Sequence, residues 1–203
     1  MNDTTLFTEA ATQARYLTAL KNSVYGFWAG KLNNSEFTVM FTDTVWTGLK
    51  AAWQEGAKRA GILPDEMTDV ELKAMQANIY QQLSYIAGYA AFIDSQSKAN
   101  GGKLASVMPR LGMWAARWRE FENLGFLYAG QDEKLTWRLS STVRKHCGSC
   151  VKLSGKCKRK SQWIAADIYP KHRDLECGGY ACGCFQEPTP FAPLSKGKLP
   201  SLP

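Results

Sequence analysis

Apolar residues recur three and four positions apart along the first two thirds of this chain, the spacing that gathers them on one face of an α-helix. From about Thr4 to Gly30 that face is drawn by Tyr16, Leu17, Leu20, Val24, Phe27 and Trp28. Asn33-Asn34-Ser35 interrupts it, with Ser35 as the expected N-cap of a second helix carrying Phe37, Met40, Phe41, Val45, Leu49, Ala52 and Trp53. Gly61, with Pro64 just beyond, is a stop signal. Thr68-Asp69-Val70-Glu71 has the form of a capping box, in which the threonine hydroxyl and the glutamate carboxylate satisfy orphan amides reciprocally. The helix it opens shows Leu72, Met75, Ile79, Leu83, Ile86, Ala90 and Ile93, and Asn100-Gly101-Gly102 is expected to end it. A fourth helix, starting near Ser106 or Pro109, carries Leu111, Trp114, Ala115, Trp118 and Phe121. The pattern then changes: Leu135-Thr136-Trp137-Arg138-Leu139 reads as a short strand.

Charge divides the chain at the same place. Residues 134–203 hold thirteen Lys+Arg against four Asp+Glu, a net of +9, whereas residues 1–133 sum to −2. All six cysteines, Cys147, Cys150, Cys157, Cys177, Cys182 and Cys184, lie in the basic part, and five of the eight prolines fall between Gln186 and Pro203. The expected architecture is therefore a mainly α N-terminal helical module over residues 1–130, a small cysteine-rich, zinc-stabilised α+β module over 131–187, and an extended proline-rich tail over 188–203. With 45% apolar and 12% aromatic residues among 203, a disordered chain is excluded. The longest apolar run, Tyr85 to Ile93, is too short to span a bilayer. Met1-Asn2-Asp3-Thr4-Thr5 has neither the basic nor the apolar region of a secretory signal, so neither a membrane partner nor secretion is expected.

The cysteines carry the chemistry. They read C-x2-C-x26-C-x4-C-x-C from Cys147 to Cys184. Zinc takes four soft or borderline donors in a tetrahedron, and two clusters joined by a loop are how small modules supply them. Five cysteines compete for four places: Cys147, Cys150, Cys182 and Cys184 are preferred, with Cys177 a close rival. His172 is a weaker candidate, and Cys157, among Lys156, Lys158, Arg159 and Lys160, is weaker still. Disulfides and free thiols are the alternatives. A catalytic role for the metal finds no support. The nucleobase deaminase pattern lacks its glutamate and proline around His146-Cys147, and neither H-E-x-x-H nor G-x-S-x-G occurs. Ser95-Gln96-Ser97-Lys98 and Gly101-Gly102-Lys103 match acyl-enzyme and phosphate-loop patterns only in fragments. Trp114, Arg117, Trp118 and Arg119 could be drawn as a platform for single strands, but helical periodicity already explains the tryptophans as core.

In order along the chain, Trp137 on a short strand, Arg144, Cys147-Gly148-Ser149-Cys150, Gly155-Lys156, Tyr169-Pro170-Lys171-His172 and Leu175 through Cys184 form a distinctive set. This segment resembles the C-terminal part of phage head morphogenesis proteins of the Mu minor-head type. The resemblance implies a virion or assembly protein rather than an enzyme. It would act at the portal vertex or capsid interior, with portal or capsid proteins as partners, no small-molecule substrate, and residence in the host cytoplasm during assembly. Relatives place a histidine close to the final cysteines; here His172 lies ten residues before Cys182, so His172 and Cys177 both stay open as ligands. A basic module suits packaged DNA or an acidic portal surface, with Lys152, Lys156, Lys158, Arg159 and Lys160 as the expected contacts. A zinc-stabilised nucleic-acid-binding regulator is the alternative that charge and C-x-x-C support equally, and a thiol redox enzyme is a third.

Overall fold

Helical periodicity dominates the computed structural model, which describes residues 3–180 and 182–203, with side chains from residue 12 onward. Seven helices and three strands occur among the described residues: α1 (Asp3–Trp28), α2 (Asn34–Arg59), α3 (Asp69–Leu83), α4 (Ile86–Ser95), α5 (Leu104–Tyr128), β1 (Lys134–Arg138), α6 (Gly148–Leu153), β2 (Cys157–Arg159), α7 (Lys160–Ala165) and β3 (Phe185–Pro188). They form two compact units. One takes the residues up to Ala52 and Leu72–Trp118; the other takes Trp53–Glu71 and Arg119–Pro203. The division differs from the one drawn by composition at residue 130: charge and cysteines mark the basic segment, whereas packing assigns to it the ends of α2 and α5 as well.

The first unit is built on the anticipated faces. Tyr16, Leu20, Val24 and Phe27 of α1 are buried, as are Phe37, Phe41, Val45 and Leu49 of α2. Phe27 stacks on Phe37 with centroids 4.7 Å apart, and Phe41 meets Trp114 edge-on at 5.2 Å. Trp114 and Trp118 are thus core, as periodicity suggested, and Tyr16 donates to the Trp114 carbonyl at 3.1 Å. The cap of α2 is Asn33, not Ser35. Its side-chain oxygen accepts the Glu36 amide at 2.9 Å while Glu36 accepts the Asn33 amide at 2.8 Å, a reciprocal pair that Ser35 has no glutamate at the right distance to form.

The expected single helix after Thr68 is two. Its capping box is present, Glu71 accepting from the Thr68 amide and hydroxyl. At the far end the Ser84 hydroxyl donates to the Gln81 carbonyl at 2.7 Å, and Tyr85 turns back to Gln82 instead of Gln81. A serine that takes a helix carbonyl for itself offers the backbone an alternative to the next rung, and the helix restarts at Ile86. α5 begins at Leu104, earlier than expected, so Pro109 lies inside it and costs it one hydrogen bond.

In the second unit α2 and α5 cross backbone to backbone. A methyl on Gly56 would overlap the Glu122 carbonyl, and one on Gly125 would overlap that of Trp53. Arg59 and Arg119 each hold a carboxylate oxygen of Glu122 at 2.6 Å. The sheet has the order β2-β1-β3, antiparallel throughout, with Leu135 opposite Lys158 and Trp137 opposite Gln186. Trp137 is fully buried and packs on Trp163 of α7, whose indole donates to the Leu135 carbonyl at 3.3 Å.

The segment expected to be an extended tail begins at Pro188, the last residue of β3, and continues bonded to the sheet. Thr189 donates its amide to Lys134 at 2.9 Å, and Ser195 exchanges two bonds with the Cys157 backbone, each 2.9 Å. Prolines are tolerated here because β3 is an edge strand, where a missing N–H need not break a ladder. No described helix is long and apolar enough to cross a membrane.

Candidate metal centre

Two short loops in the second unit bring five sulfurs together. The first closes on α6. Cys147 occupies the N-cap position, and the Gly148 amide donates to Glu176 at 2.7 Å while Glu176 donates its own amide to the Ser149 hydroxyl at 3.2 Å. That exchange ties the first knuckle to the second loop one residue before Cys177. Cys150 follows one turn later and is buried. The knuckle is fastened to the sheet behind it: Gly155, at φ +73°, donates to the Trp137 carbonyl at 3.0 Å, and Trp137 donates to Lys156 at 3.0 Å.

The second loop is anchored upstream on the end of α5. Tyr169 donates to Glu120 at 3.1 Å, and Asn123 donates to the Pro170 carbonyl at 3.1 Å. Gly178 and Gly179 then take φ values of +59° and +76°, a left-handed reversal that a side chain resists. At Gly179 the need is also steric, since a methyl would strike the Lys171 carbonyl. The reversal returns Cys182 and Cys184 towards Cys150, and both are buried; Cys147 and Cys177 are half-buried.

The sulfurs form two groups that share one member. Cys147, Cys150 and Cys177 lie within 4.8 Å of one another, and so do Cys150, Cys182 and Cys184. Cys150 and Cys182 are 3.6 Å apart. Zinc–sulfur bonds of about 2.3 Å in a tetrahedron set neighbouring sulfurs about 3.8 Å apart, so this pair fits the edge of such a site. All six thiols are free. The five surround a cavity of about 250 Å³ with Val143, Lys145 and His146. His146, not singled out from the sequence, places Nδ1 3.6 Å from the Cys184 sulfur but lies outside both close groups. Its position beside Cys147 was the available signal.

The thiols share protons as a coupled set. A hydrogen bond from Cys150, opposed by burial, leads the lowering of Cys182 to about 5, helped by the Cys184 and Lys171 amides. The same bond to Cys182, then burial, pushes Cys150 up. For Cys147 burial acts upward, but bonds from Cys150 and Cys177 outweigh it and its pKa is lowered. Burial raises Cys177 to about 11 and raises Cys184. Low-pKa thiols beside high-pKa thiols are what a metal resolves, by displacing the shared protons.

The remaining candidates fall elsewhere. Cys157 is buried in β2, 3.7 Å from the Thr189 hydroxyl and outside both groups. His172 is also outside them; its Nδ1 accepts the Asp174 amide at 3.0 Å, and it packs edge-on against Tyr169 at 4.5 Å. Two of the five basic residues expected at a phosphate backbone are turned inward. Lys158 is buried and donates to the Ser195 and Gly197 carbonyls at 2.8 and 2.7 Å. Lys160 is 4% exposed, donates to Ala129 at 2.8 Å, pairs with Glu133 at 2.9 Å and lies over the Phe126 ring. Cys157 and Lys158 of β2 are both buried; a stem long enough to reach polar atoms across the core buries itself and satisfies its ammonium there. Lys152 and Arg159 are exposed and Lys156 is half-buried.

A larger cavity of about 860 Å³ lies in the first unit, walled by Phe27, Trp28 and the alanines of α4, but it gathers no comparable set of donors. Comparison of the chain with family models, with curated proteins and with solved structures finds no match.

Proposed function

We propose that this protein is a structural component of phage head morphogenesis, a minor head protein in which bound zinc staples the basic unit and the helices dock on a portal or capsid partner. One observation carries the reading: the C-x2-C and C-x4-C-x-C segments, 26 residues apart in sequence, converge around one small cavity. The features behind the resemblance to Mu-type minor head proteins share that unit and have structural roles in it. Trp137 fills the centre of the sheet, Gly155 makes the turn after the knuckle, and the Tyr169-Pro170 segment anchors the second loop. Thiolates suit zinc better than hard cations, and a closed thiolate set supplies folding energy rather than chemistry. Zinc would hold α6 against the Cys177–Cys184 loop and so add folding energy to the unit.

Elemental analysis of the full chain purified under reducing conditions should find zinc. Chelation should loosen the second unit, seen as lost amide-exchange protection around Trp137 and Cys157, while α1 keeps its protection. The chain should also co-purify with the portal protein of the same phage. An absence of metal with unchanged folding would remove the staple. Sequence-selective DNA binding without portal binding would favour the regulator instead.

A further inference from the structure

We propose that the cysteine cluster holds two zinc ions bridged by the Cys150 thiolate. The inference rests on the metal-staple reading and deepens it.

Geometry separates the thiols. A single tetrahedral ion needs four donors about 3.8 Å apart in every pair. Among the described residues the ligand atoms gather only in threes at 4.8 Å, and each three includes Cys150. One ion at either group therefore leaves two half-shielded or two buried thiols beside it unused. Two ions use all five.

The inner ion has three buried sulfurs. Cys150, Cys182 and Cys184 are all buried, and the His146 imidazole stands beside them, 3.6 Å from the Cys184 sulfur but outside the close group. The outer ion has Cys147, Cys150 and Cys177, and the half-exposure of Cys147 and Cys177 leaves its fourth position to water. Cys150 can serve both because a thiolate sulfur has more than one lone pair, and it alone belongs to both groups. Charge points the same way. Four thiolates on one divalent ion leave a net −2 and a spare thiol; five on two ions leave a net −1, the smaller charge to enclose in a partly buried site. The exposed Lys145 lines the same cavity and complements the remainder.

The test is metal counting on the full chain, loaded with zinc under reducing conditions, desalted, and weighed by native mass spectrometry. Two zinc ions per chain are expected, falling to one in Cys177→Ser, where only the outer set is broken. Loading with cobalt(II) should give tetrahedral thiolate absorption, and the paramagnetic signal should weaken as the second equivalent binds, because a shared sulfur couples the ions. One zinc per chain, with a thiol still open to alkylation, overturns the two-ion site and leaves the staple standing. No zinc overturns the staple as well. Two ions without magnetic coupling overturn the bridge, and this cobalt measurement on the unaltered chain decides the matter even where Cys177→Ser fails to fold.

Discussion

Single atoms decide several features of this molecule. At Gly56 and Gly125 the crossing of α2 and α5 leaves no space for a methyl group. Gly56→Ala should therefore lower stability by about 1–3 kcal/mol despite the better helix propensity of alanine. Gly88→Ala, at an exposed helical position with nothing near its added carbon, should raise it by about 0.5–1 kcal/mol. Urea unfolding of the two variants checks the pair; equal effects would mean that the helices do not meet as described.

His172 sets a pH dependence with a definite sign. Burial lowers its pKa, against the opposing carboxylates of Asp167 at 3.4 Å and Asp174 at 3.9 Å, with Arg173 acting with burial and the Tyr169 ring packed on it. The unfolded chain takes up this proton near pH ~6.5, the folded chain only at lower pH. The associated stability is complete above about pH 6.5 and is lost as pH falls towards the folded value. His172→Asn should flatten the decline in unfolding free energy between about pH 7 and pH 5 relative to the unaltered chain in the same metal state, a comparison in which thiolate protonation is common to both.

At the scale of elements, the chain from Thr189 to Gly197 belongs to the sheet it follows. Thr189 pairs hydroxyls with Thr136 at 2.6 Å, and Ser195 closes on Cys157. A deletion after Pro188 would leave the Cys157 amide and the Lys158 ammonium without these partners. At about 0.5–1.5 kcal/mol for each net hydrogen bond, the loss should reach about 2–4 kcal/mol, with faster amide exchange at Cys157. A free tail would be removed with no change in either.

The helices show how far local pattern reaches. The α1 face, the Thr68–Glu71 box and the β1 strand follow from spacing and from side chains three residues apart. The break at Ser84 does not, because serine is tolerated in a helix until its hydroxyl takes a carbonyl. Asn33 displaced Ser35 as the cap for a related reason: both residue types cap well, and only the position of Glu36 chooses between them.

Over the whole molecule, the +9 of residues 134–203 is not all surface charge. Lys158 and Lys160 are enclosed, so Lys152, Lys156 and Arg159 are the members of the expected set that solvent reaches. Where the protein meets duplex DNA, Lys152→Ala should reduce the slope of log affinity against log salt by about 0.9 with little change in melting temperature. Lys160→Met should leave the slope and lower stability by about 1–3 kcal/mol, since it strands the buried Ala129 carbonyl. Salt titrations and thermal melts of both variants separate the two roles.

By itself the sequence determined the helical class of the first two thirds, the short strand at Trp137, the faces that become core, and the residue types that could hold a metal. These follow from spacings of two to four residues, where geometry is local. Tertiary structure decided the rest. It chose which sulfurs meet, because Cys147 and Cys177 are neighbours only when two loops are folded onto one another. It placed His146 beside Cys184, turned two lysines inward, bonded the proline-rich segment to the sheet and drew the unit boundary through α2 and α5. Each depends on contacts across tens of residues, where a residue's type limits its partners but does not select among them.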